Sequence, residues 1–527
     1  FQNLPAHQVV VDDKRHGYKV LKLNQAIKPG ASLALQFKVD VVRRGFTNSG
    51  ATDPINENGT LFAFENFFPR IGYDQSGEIV DKAQRRERGL GAQAGVPKLE
   101  DQQAKNYMFW KLWGFDADLM DFETTVSTSA DQVAIAPGDL QRSWEKNGRR
   151  YFHYKMDKPI SPFFSYQSGK WEVKKADWKG VSIEVYYDKK HPYNIDSMVS
   201  GAQAGLDYLS SNFGAYPHKQ VRILEIPLYQ TYARSFPNTI PFSESLGFIN
   251  DLRDKNLVDH VFYITAHEIA HQWWGDQAIA ANVQGSGMVT ETLAEYSALM
   301  ALEKKFGAEK TRHILRSDLS QYLSGRGKEL REEQPLFKNE GQIYLQYRKG
   351  SLIMYRLREE IGEAAVNRAL AKFMDAYRYQ TRPYPTSADV LRYIREETPA
   401  DKQELITDMF ERIVLYDNRV LDASAKQKAD GQWEVTMKVQ LAKLEADSKG
   451  KEKARAYDEA IDVAIFSRKE GAPEREERVL LREKRQLPSG ESVLTFTVKD
   501  KPYEVGVDPY HLLIDRKTED NRKVVRF

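Results

Sequence analysis

The sequence predicts a multidomain α+β protein in which a mainly helical region lies between two β-rich regions. Segments rich in Val, Tyr, Phe and Leu, partly alternating with polar residues, fill the first part of the chain. Apolar residues at helical spacing dominate the middle, and short strand patterns separated by charged turns return after residue 419. A chain of 527 residues is also longer than one hydrophobic core usually serves.

These shifts in pattern divide the chain near residues 192 and 417. Residues 1–192 are predicted to form an N-terminal β-sandwich, residues 193–417 a mostly α domain, and residues 418–527 a C-terminal β-sandwich. A polar, charged stretch at 74–103 is predicted to form an insertion that extends from the first β domain and contains a short helix.

Individual elements follow from local periodicity. The predicted strands lie at 16–23, 33–43, 181–188, 221–226, 246–249, 433–441, 461–466, 492–498 and 503–507. The predicted helices lie at 197–212, 251–274 and 289–306, with a Gly-Ser-Gly break at 285–287 between the last two.

Composition excludes several classes of protein. The 77 Lys and Arg residues nearly cancel the 75 Asp and Glu residues, whereas nucleic-acid binders usually carry a clear basic excess. No cysteine is present, which excludes disulfides and thiolate metal sites. No segment approaches the roughly 18 to 20 uncharged apolar residues that span a bilayer.

The strongest chemical signal is the run His267-Glu-Ile-Ala-His271. On a helix, residues four apart lie on one face, so both imidazoles can bind one ion. Glu268 is too close in sequence to both histidines to be a comfortable ligand, and is placed to accept a proton from water. The alternative is a buried helix whose histidines only satisfy hydrogen bonds.

Two histidines alone leave a zinc ion short of ligands, since a catalytic site uses three protein ligands and keeps one position open. Glu291 on the next predicted helix supplies the third, with nineteen residues between it and His271. Glu295 lies one turn further on the same face, where it can orient a ligand imidazole from behind. The sequence therefore predicts one Zn²⁺ ion bound by His267, His271 and Glu291.

These residues resemble the gluzincin aminopeptidases, the family that includes aminopeptidase N and leukotriene hydrolase. The segment from His267 to Asp276 is similar to the zinc helix of that family, and 290–296 to its third-ligand helix. Tyr347-Arg-Lys-Gly350 resembles the motif whose tyrosine stabilises the tetrahedral intermediate. Residues 244–249 resemble the end of the segment whose glutamate, here Glu244, anchors the free amine of the substrate.

The resemblance implies a thermolysin-like catalytic domain at 193–417 and removal of N-terminal residues from peptide substrates. Two departures accompany it. The interval between His271 and Glu291 is one residue longer than in most of the family, a spacing that thermolysin-like relatives use. Pro241-Phe-Ser243 replaces the usual residues before Glu244, which changes the expected amine and side-chain pockets.

The sequences that flank these motifs are most similar to those of a bacterial subgroup in which the peptidase domain is joined to transporter-permease membrane segments. This similarity implies a membrane-associated, extracytoplasmic or periplasmic domain, covalently attached to transmembrane segments absent from this chain; a cytoplasmic location stays open. Nucleic acid is not an expected partner. The alternative functions are a metallo-endopeptidase, a non-catalytic peptide-binding or sensing module of a transporter, and a lipid-epoxide hydrolase.

Overall fold

The computed structural model describes residues 2–15, 18–42, 54–64, 67–68, 78–109, 118–227, 231–469, 471–473 and 476–527. Strand-rich regions precede and follow a helical centre, so the predicted multidomain α+β class is confirmed. The strands are β1 (His7–Asp13), β2 (Tyr18–Leu23), β3 (Thr60–Ala63), β4 (Glu123–Ser129), β5 (Val133–Ile135), β6 (Asp139–Lys146), β7 (Arg149–Lys155), β8 (Ser165–Gly169), β9 (Glu172–Trp178), β10 (Val181–Tyr187), β11 (Gln220–Ile226), β12 (Thr239–Ser243), β13 (Ile413–Tyr416), β14 (Arg419–Gln427), β15 (Trp433–Leu441), β16 (Lys443–Ala446), β17 (Glu452–Arg455), β18 (Ala460–Ser467), β19 (Arg478–Gln486), β20 (Gly490–Val498), β21 (Glu504–Val507) and β22 (Arg522–Val524).

The helices are α1 (Lys82–Glu87), α2 (Ile195–Phe213), α3 (His260–Ala270), α4 (Leu293–Phe306), α5 (Ala308–Gly327), α6 (Gly350–Ile361), α7 (Glu363–Tyr377), α8 (Ser387–Glu397) and α9 (Gln403–Phe410). Two π-helical segments, Met288–Thr292 and Tyr344–Lys349, lead directly into α4 and α6. Helix α1 is the short helix predicted within 74–103, of which residues 74–77 lie outside the described residues.

In the N-terminal region two three-stranded antiparallel sheets, β3–β8–β5 and β4–β7–β6, pack around Ile135, Phe152 and Tyr154. A third, mixed sheet has the order β12–β11–β10–β9, in which β10, β11 and β12 run parallel. This sheet joins strands from both sides of residue 192, because α2 forms the crossover between β10 and β11. The division at residue 192 stays a prediction.

The central region has one large apolar core, to which the mixed sheet and helices α2 to α9 contribute. Helix α3 packs against both α2 and α4. The approach of α2 is close: a Cβ added at Gly201 would lie 2.6 Å from the carbonyl oxygen of Phe262. A helix enclosed in this way buries its polar side chains as well, and those side chains form the site described below.

The C-terminal region is a sandwich of the sheets β14–β15–β20 and β19–β18–β21–β22. Alternate side chains of facing strands, among them Val435, Met437, Val463 and Ile465, form its core. The predicted strand at 433–441 coincides with β15. Strand β13, before residue 417, pairs with β16, after it, so the division at residue 417 also stays a prediction.

Three local predictions were wrong. The helix expected at 251–274 begins only at His260, because Asp251 and Asp254 accept hydrogen bonds from the backbone N–H groups two residues on, which competes with helix formation. The strand expected at 246–249 is a turn, in which the N–H of Gly247 donates to the carbonyl of Ser243 at 3.0 Å.

The strand expected at 33–43 is also absent, since its described residues, 33–42, pair with no other described strand. Several apolar residues there, such as Val39 and Val42, are exposed, and Phe37 contacts only the ring of Phe68 among the described aromatic residues, so the alternation did not produce a strand. Within the described part of the chain, no helix combines the length and apolar character that crossing a membrane requires.

Candidate metal centre

Helix α3 positions the two predicted histidine ligands. His267 and Glu268 lie in its last turn, and His271 follows its last residue. The carboxylate of Asp259 caps the start of α3, accepting a hydrogen bond from the N–H of Phe262 at 2.9 Å. His267 and Glu268 are both buried, as expected for the inward face of an enclosed helix.

Glu291 and Tyr347 come from the two π-helical segments. Such segments are rare and frequently lie at functional sites. The hydroxyl of Thr292 joins them by donating to the carbonyl of Gln346 at 2.6 Å. A Cβ at Gly350 would lie 2.5 Å from the Thr292 hydroxyl oxygen, so glycine permits this close packing. The two segments therefore hold Glu291 and Tyr347 in a fixed relation to each other.

The three predicted ligands converge. The Nε2 atoms of His267 and His271 lie 3.0 Å apart. Oε2 of Glu291 lies 3.2 Å from Nε2 of His271 and 3.5 Å from Nε2 of His267. The Nδ1–H of His271 donates to the carbonyl of Trp274 at 3.0 Å, which leaves the Nε2 lone pair directed at the shared point.

These residues fit a zinc ion. Zinc–ligand bonds of about 2.0 to 2.2 Å place tetrahedral donor atoms roughly 3.3 Å apart, close to the separations found here. Oε2 of Glu291 is buried and accepts no hydrogen bond from the described residues. A buried carboxylate oxygen of this kind fits a metal ligand, because a cation would satisfy it. Two imidazoles and one carboxylate are also the donor set of zinc peptidases, with a position left for water.

The electrostatics of the cluster favour positive charge at its centre. Burial opposes ionisation of Glu291, but the charges of His271 and His267 outweigh it and hold the pKa of Glu291 below its ordinary value. Burial likewise opposes protonation of the two histidines, yet the neighbouring carboxylates raise the pKa of both. A bound cation would take the place of these protons.

Glu295 lies behind His267, as predicted. Its Oε1 is 3.2 Å from Nδ1 of His267, on the side of the ring away from Nε2, and its Oε2 accepts a hydrogen bond from the hydroxyl of Tyr263. Carboxylates in this position hold a ligand imidazole in the orientation and tautomer that metal binding requires.

Replacing Glu295 with glutamine is therefore expected to weaken zinc binding by about 10- to 100-fold without abolishing it. Competition with a fluorescent zinc chelator would measure the change. Glu303→Gln on the same helix is the matched control, because Glu303 pairs with Tyr355 and Arg358 instead of a ligand. Equal zinc affinity in the Glu295 variant and the wild type would contradict the orienting role.

Glu268 and Tyr347 line the same cavity as the three ligands, and its volume is about 260 Å³. Burial raises the pKa of Glu268, which moves this carboxylate toward the range useful for a general base. The ring of Tyr347 stacks on His267, with ring centroids 5.9 Å apart. Burial and the charge of Glu291 raise the pKa of Tyr347, so its hydroxyl remains a protonated donor.

One wall of the cavity is a segment that the sequence did not indicate. Residues 231–236 run antiparallel to β12, with the N–H of Arg234 donating to the carbonyl of Pro241 at 3.1 Å and that of Ser243 to the carbonyl of Tyr232 at 3.0 Å. Residues 232–235 line the cavity. This edge segment lies between β12 and the cavity, and we find no sequence signal that would have identified it.

Glu244 follows β12 and is not among the described residues that line the cavity. It belongs instead to a second cluster, with Glu225 and His191. Nδ1 of His191 lies 2.5 Å from Oε1 of Glu225 and 3.6 Å from Oε2 of Glu244. The role of Glu244 as an amine anchor stays a prediction.

Asp276 is a further cavity residue that the sequence did not indicate. It follows the zinc-helix motif and lines the cavity. Its Oδ2 is buried and has no hydrogen-bond partner among the described residues. Burial raises the pKa of this carboxyl to about 8, and the positive charge of His271 is what opposes the rise.

Comparison with known proteins agrees with this geometry. The sequence pattern of the Peptidase family M1 domain matches residues 199–412, which include α3, both π-helical segments and every residue of the metal cluster. No curated protein sequence matched the chain significantly. Peptidases of family M1 are zinc-dependent, as the cluster of His267, His271 and Glu291 predicts. Residues 199–412 of this chain are therefore similar to the Peptidase family M1 domain, a similarity that supports a metallopeptidase.

Proposed function

We propose that this protein hydrolyses peptide bonds with one zinc ion bound by His267, His271 and Glu291, with Glu268 as the general base. The observation that carries the proposal is that Glu268 and Tyr347 line the cavity onto which the three ligands converge. When bound there, zinc supplies a Lewis acid for the substrate carbonyl and lowers the pKa of water. The protein residues supply the remaining steps.

Glu268 accepts the proton of the attacking water and passes it to the leaving amine. Its burial supports this role, because a carboxylate with a raised pKa both accepts and returns a proton near neutral pH. Tyr347 donates its hydroxyl proton in a hydrogen bond to the oxygen that becomes negative as the carbonyl is attacked.

The edge segment supports a peptide as the substrate. In an antiparallel pair alternate residues turn their backbone groups outward. The backbone groups of Tyr232 and Arg234 bond to β12, so those of Ala233 and Ser235 face the other way, and they form no backbone hydrogen bond with the described residues. An extended peptide can add to such an edge as a further strand.

We further propose that cleavage removes the N-terminal residue, as the family resemblance implies. One observation favours the second candidate, an endopeptidase. In the edge segment, Ala233 and Ser235 carry no carboxylate that could bind the free amine of a substrate. Glu244, the predicted amine anchor, lies beside His191 and Glu225 and does not line the cavity among the described residues.

The test is a set of peptides offered to the zinc-loaded protein with free and with acetylated N-termini, analysed by mass spectrometry. Cleavage of the free peptides alone, after their first residue, is the expected result. Internal cleavage of acetylated peptides would establish the endopeptidase instead. Binding of peptides without any cleavage would contradict both and leave a peptide-binding module.

Replacing Tyr347 with phenylalanine is expected to lower kcat by about 10²- to 10³-fold with little change in KM, because the lost donor acts in the transition state. Tyr344→Phe is the matched control. Tyr344 lies in the same π-helical segment but donates to Glu329, at 3.3 Å, and does not line the cavity. Equal kinetics for the two variants would show that Tyr347 is only a packed aromatic residue.

A further inference from the structure

Helix α3 carries a third polar residue on the face that presents the two histidines. Tyr263, His267 and His271 are spaced four residues apart, so their side chains follow one another along one face of the helix. The two histidines belong to the metal cluster, whereas Tyr263 is not among the described residues that line the cavity. Tyr263 is buried in the core around α3, where a hydroxyl needs a hydrogen-bond partner.

That partner is Glu295, the carboxylate behind His267. The hydroxyl of Tyr263 donates to Oε2 of Glu295, and Oε1 of the same carboxylate lies 3.2 Å from Nδ1 of His267. The direction of donation is fixed, because burial and the charge of Glu295 raise the pKa of Tyr263 and keep its hydroxyl protonated. The three side chains therefore form a series of contacts that ends on a metal ligand, in which Glu295 of α4 joins two residues of α3.

Tyr263 is the group that holds Glu295 in place. Within the described part of the chain, no other group donates a hydrogen bond of good geometry to this carboxylate. Burial opposes the charge of Arg348, but the carboxylates of Asp318 and Glu295 raise its pKa, so this guanidinium lies within electrostatic reach of both. Its hydrogen bond nevertheless goes to Oδ1 of Asp318, at 3.0 Å.

The contact between Glu295 and His267 is sensitive to small shifts. Nδ1 of His267 is buried and forms no hydrogen bond of good geometry with the described residues. A separation of 3.2 Å is at the long end of the range for such bonds, and they weaken steeply as the donor angle falls. A small displacement of Glu295 therefore decides whether the ring of His267 is held. His271 needs no such support, because its Nδ1–H donates to the carbonyl of Trp274 in the turn that follows α3.

We propose that Tyr263 is a positioning residue of the metal centre, which acts through Glu295 to hold His267 in the orientation that zinc binding requires. This inference rests on the zinc site of the proposed function. The two imidazoles of α3 are then oriented by different means, His271 by the backbone of its own turn and His267 by side chains of two helices. Loss of the Tyr263 hydroxyl should weaken zinc binding although no ligand is changed.

The first experiment measures the zinc affinity of the metal-free full chain by competition with a fluorescent chelator. Tyr263→Phe, which removes only the hydroxyl, is expected to weaken zinc binding by about 10-fold, the lower end of the range for groups that contact a ligand directly. An affinity equal to that of the wild type would overturn the inference.

Tyr322→Phe is the matched control. Tyr322 is also buried, and its hydroxyl donates to Oε1 of Glu333 at 2.7 Å, but Glu333 pairs with Arg326 instead of a metal ligand. This variant should lose stability, measured as melting temperature, and keep the zinc affinity of the wild type. Equal losses of affinity in the two tyrosine variants would show a general loosening of the fold and overturn the inference.

A double-mutant cycle with Glu295→Ala tests whether Tyr263 acts through Glu295. Adding Tyr263→Phe to Glu295→Ala should cause no further loss of affinity, because the two residues share one contact to the ligand. A full 10-fold loss in that background would overturn the inference. If Glu295→Ala does not fold, the visible spectrum of bound Co²⁺, which depends on the geometry of the ligands, decides instead. The spectrum should change in Tyr263→Phe and stay that of the wild type in Tyr322→Phe, and an unchanged spectrum in both would refute the positioning role.

Peptide hydrolysis keeps this inference apart from the proposed function. A wild type that binds zinc but cleaves no peptide would refute the proposed function, and the zinc affinities would still decide the role of Tyr263. A wild type that cleaves peptides, together with a Tyr263→Phe variant of unchanged zinc affinity, would refute this inference alone.

Discussion

Replacing Glu268 with glutamine is expected to lower kcat/KM for peptide hydrolysis by about 10²- to 10⁴-fold while zinc remains bound at one ion per chain. Glutamine has nearly the same size, so the packing of α3 should not change, but its amide cannot accept the proton of water. Because Glu268 is absent from the metal cluster, the ligand set remains complete. Stopped assays of peptide cleavage, with metal content measured on the same samples, would show both effects.

Glu309→Gln is the matched control for this experiment, since Glu309 is exposed in the first turn of α5. It should leave both activity and zinc content unchanged. Normal hydrolysis by a zinc-loaded Glu268→Gln protein would remove Glu268 from the mechanism and require a different proton acceptor. A loss of zinc from that variant would instead assign Glu268 to the ligand set.

Replacing Glu291 with glutamine is expected to abolish hydrolysis for a different reason, the loss of the metal. A site made of two imidazoles and one carboxylate depends on that carboxylate for its negative charge. For the wild type, zinc at 1,000 times its Kd should add about 4.1 kcal/mol to the free energy of unfolding, because it binds the native state alone. Glu291→Gln should gain little from the same addition, and thermal unfolding with and without a chelator would measure the difference.

Glu268→Gln is the control here, because it should be stabilised by zinc as the wild type is. The pH dependence provides a second check. The carboxylates around His267 and His271 raise the pKa of both histidines, so zinc must displace protons from them. Zinc affinity should therefore fall as the pH falls. Full zinc stabilisation of Glu291→Gln would refute the predicted ligand set.

The sequence alone was sufficient to predict His267, His271 and Glu291 as one ligand set, because the spacing of the two histidines is local. His267 and His271 lie one helical turn apart, and that spacing brings both Nε2 atoms to one point wherever the helix is placed. The interval to Glu291 allows the chain to turn back once, and Glu295 follows on the same helix. The order of strand-rich and helical regions was equally accessible, since each depends on periodicity within a short window.

The walls of the cavity depended on tertiary structure. The segment 231–236 lines it because it folds back on β12, and the sequence shows no periodic pattern for so short a hairpin. That hairpin lies between β12 and the cavity, while Glu244, which follows β12, lies beside His191 and Glu225. Asp276 became a cavity residue only in the folded chain, where the turn after α3 brings it to the cavity wall. Helical spacing determined which residues can bind the metal, whereas long-range packing decided which residues face the substrate, because those come from elements that meet only in the folded chain.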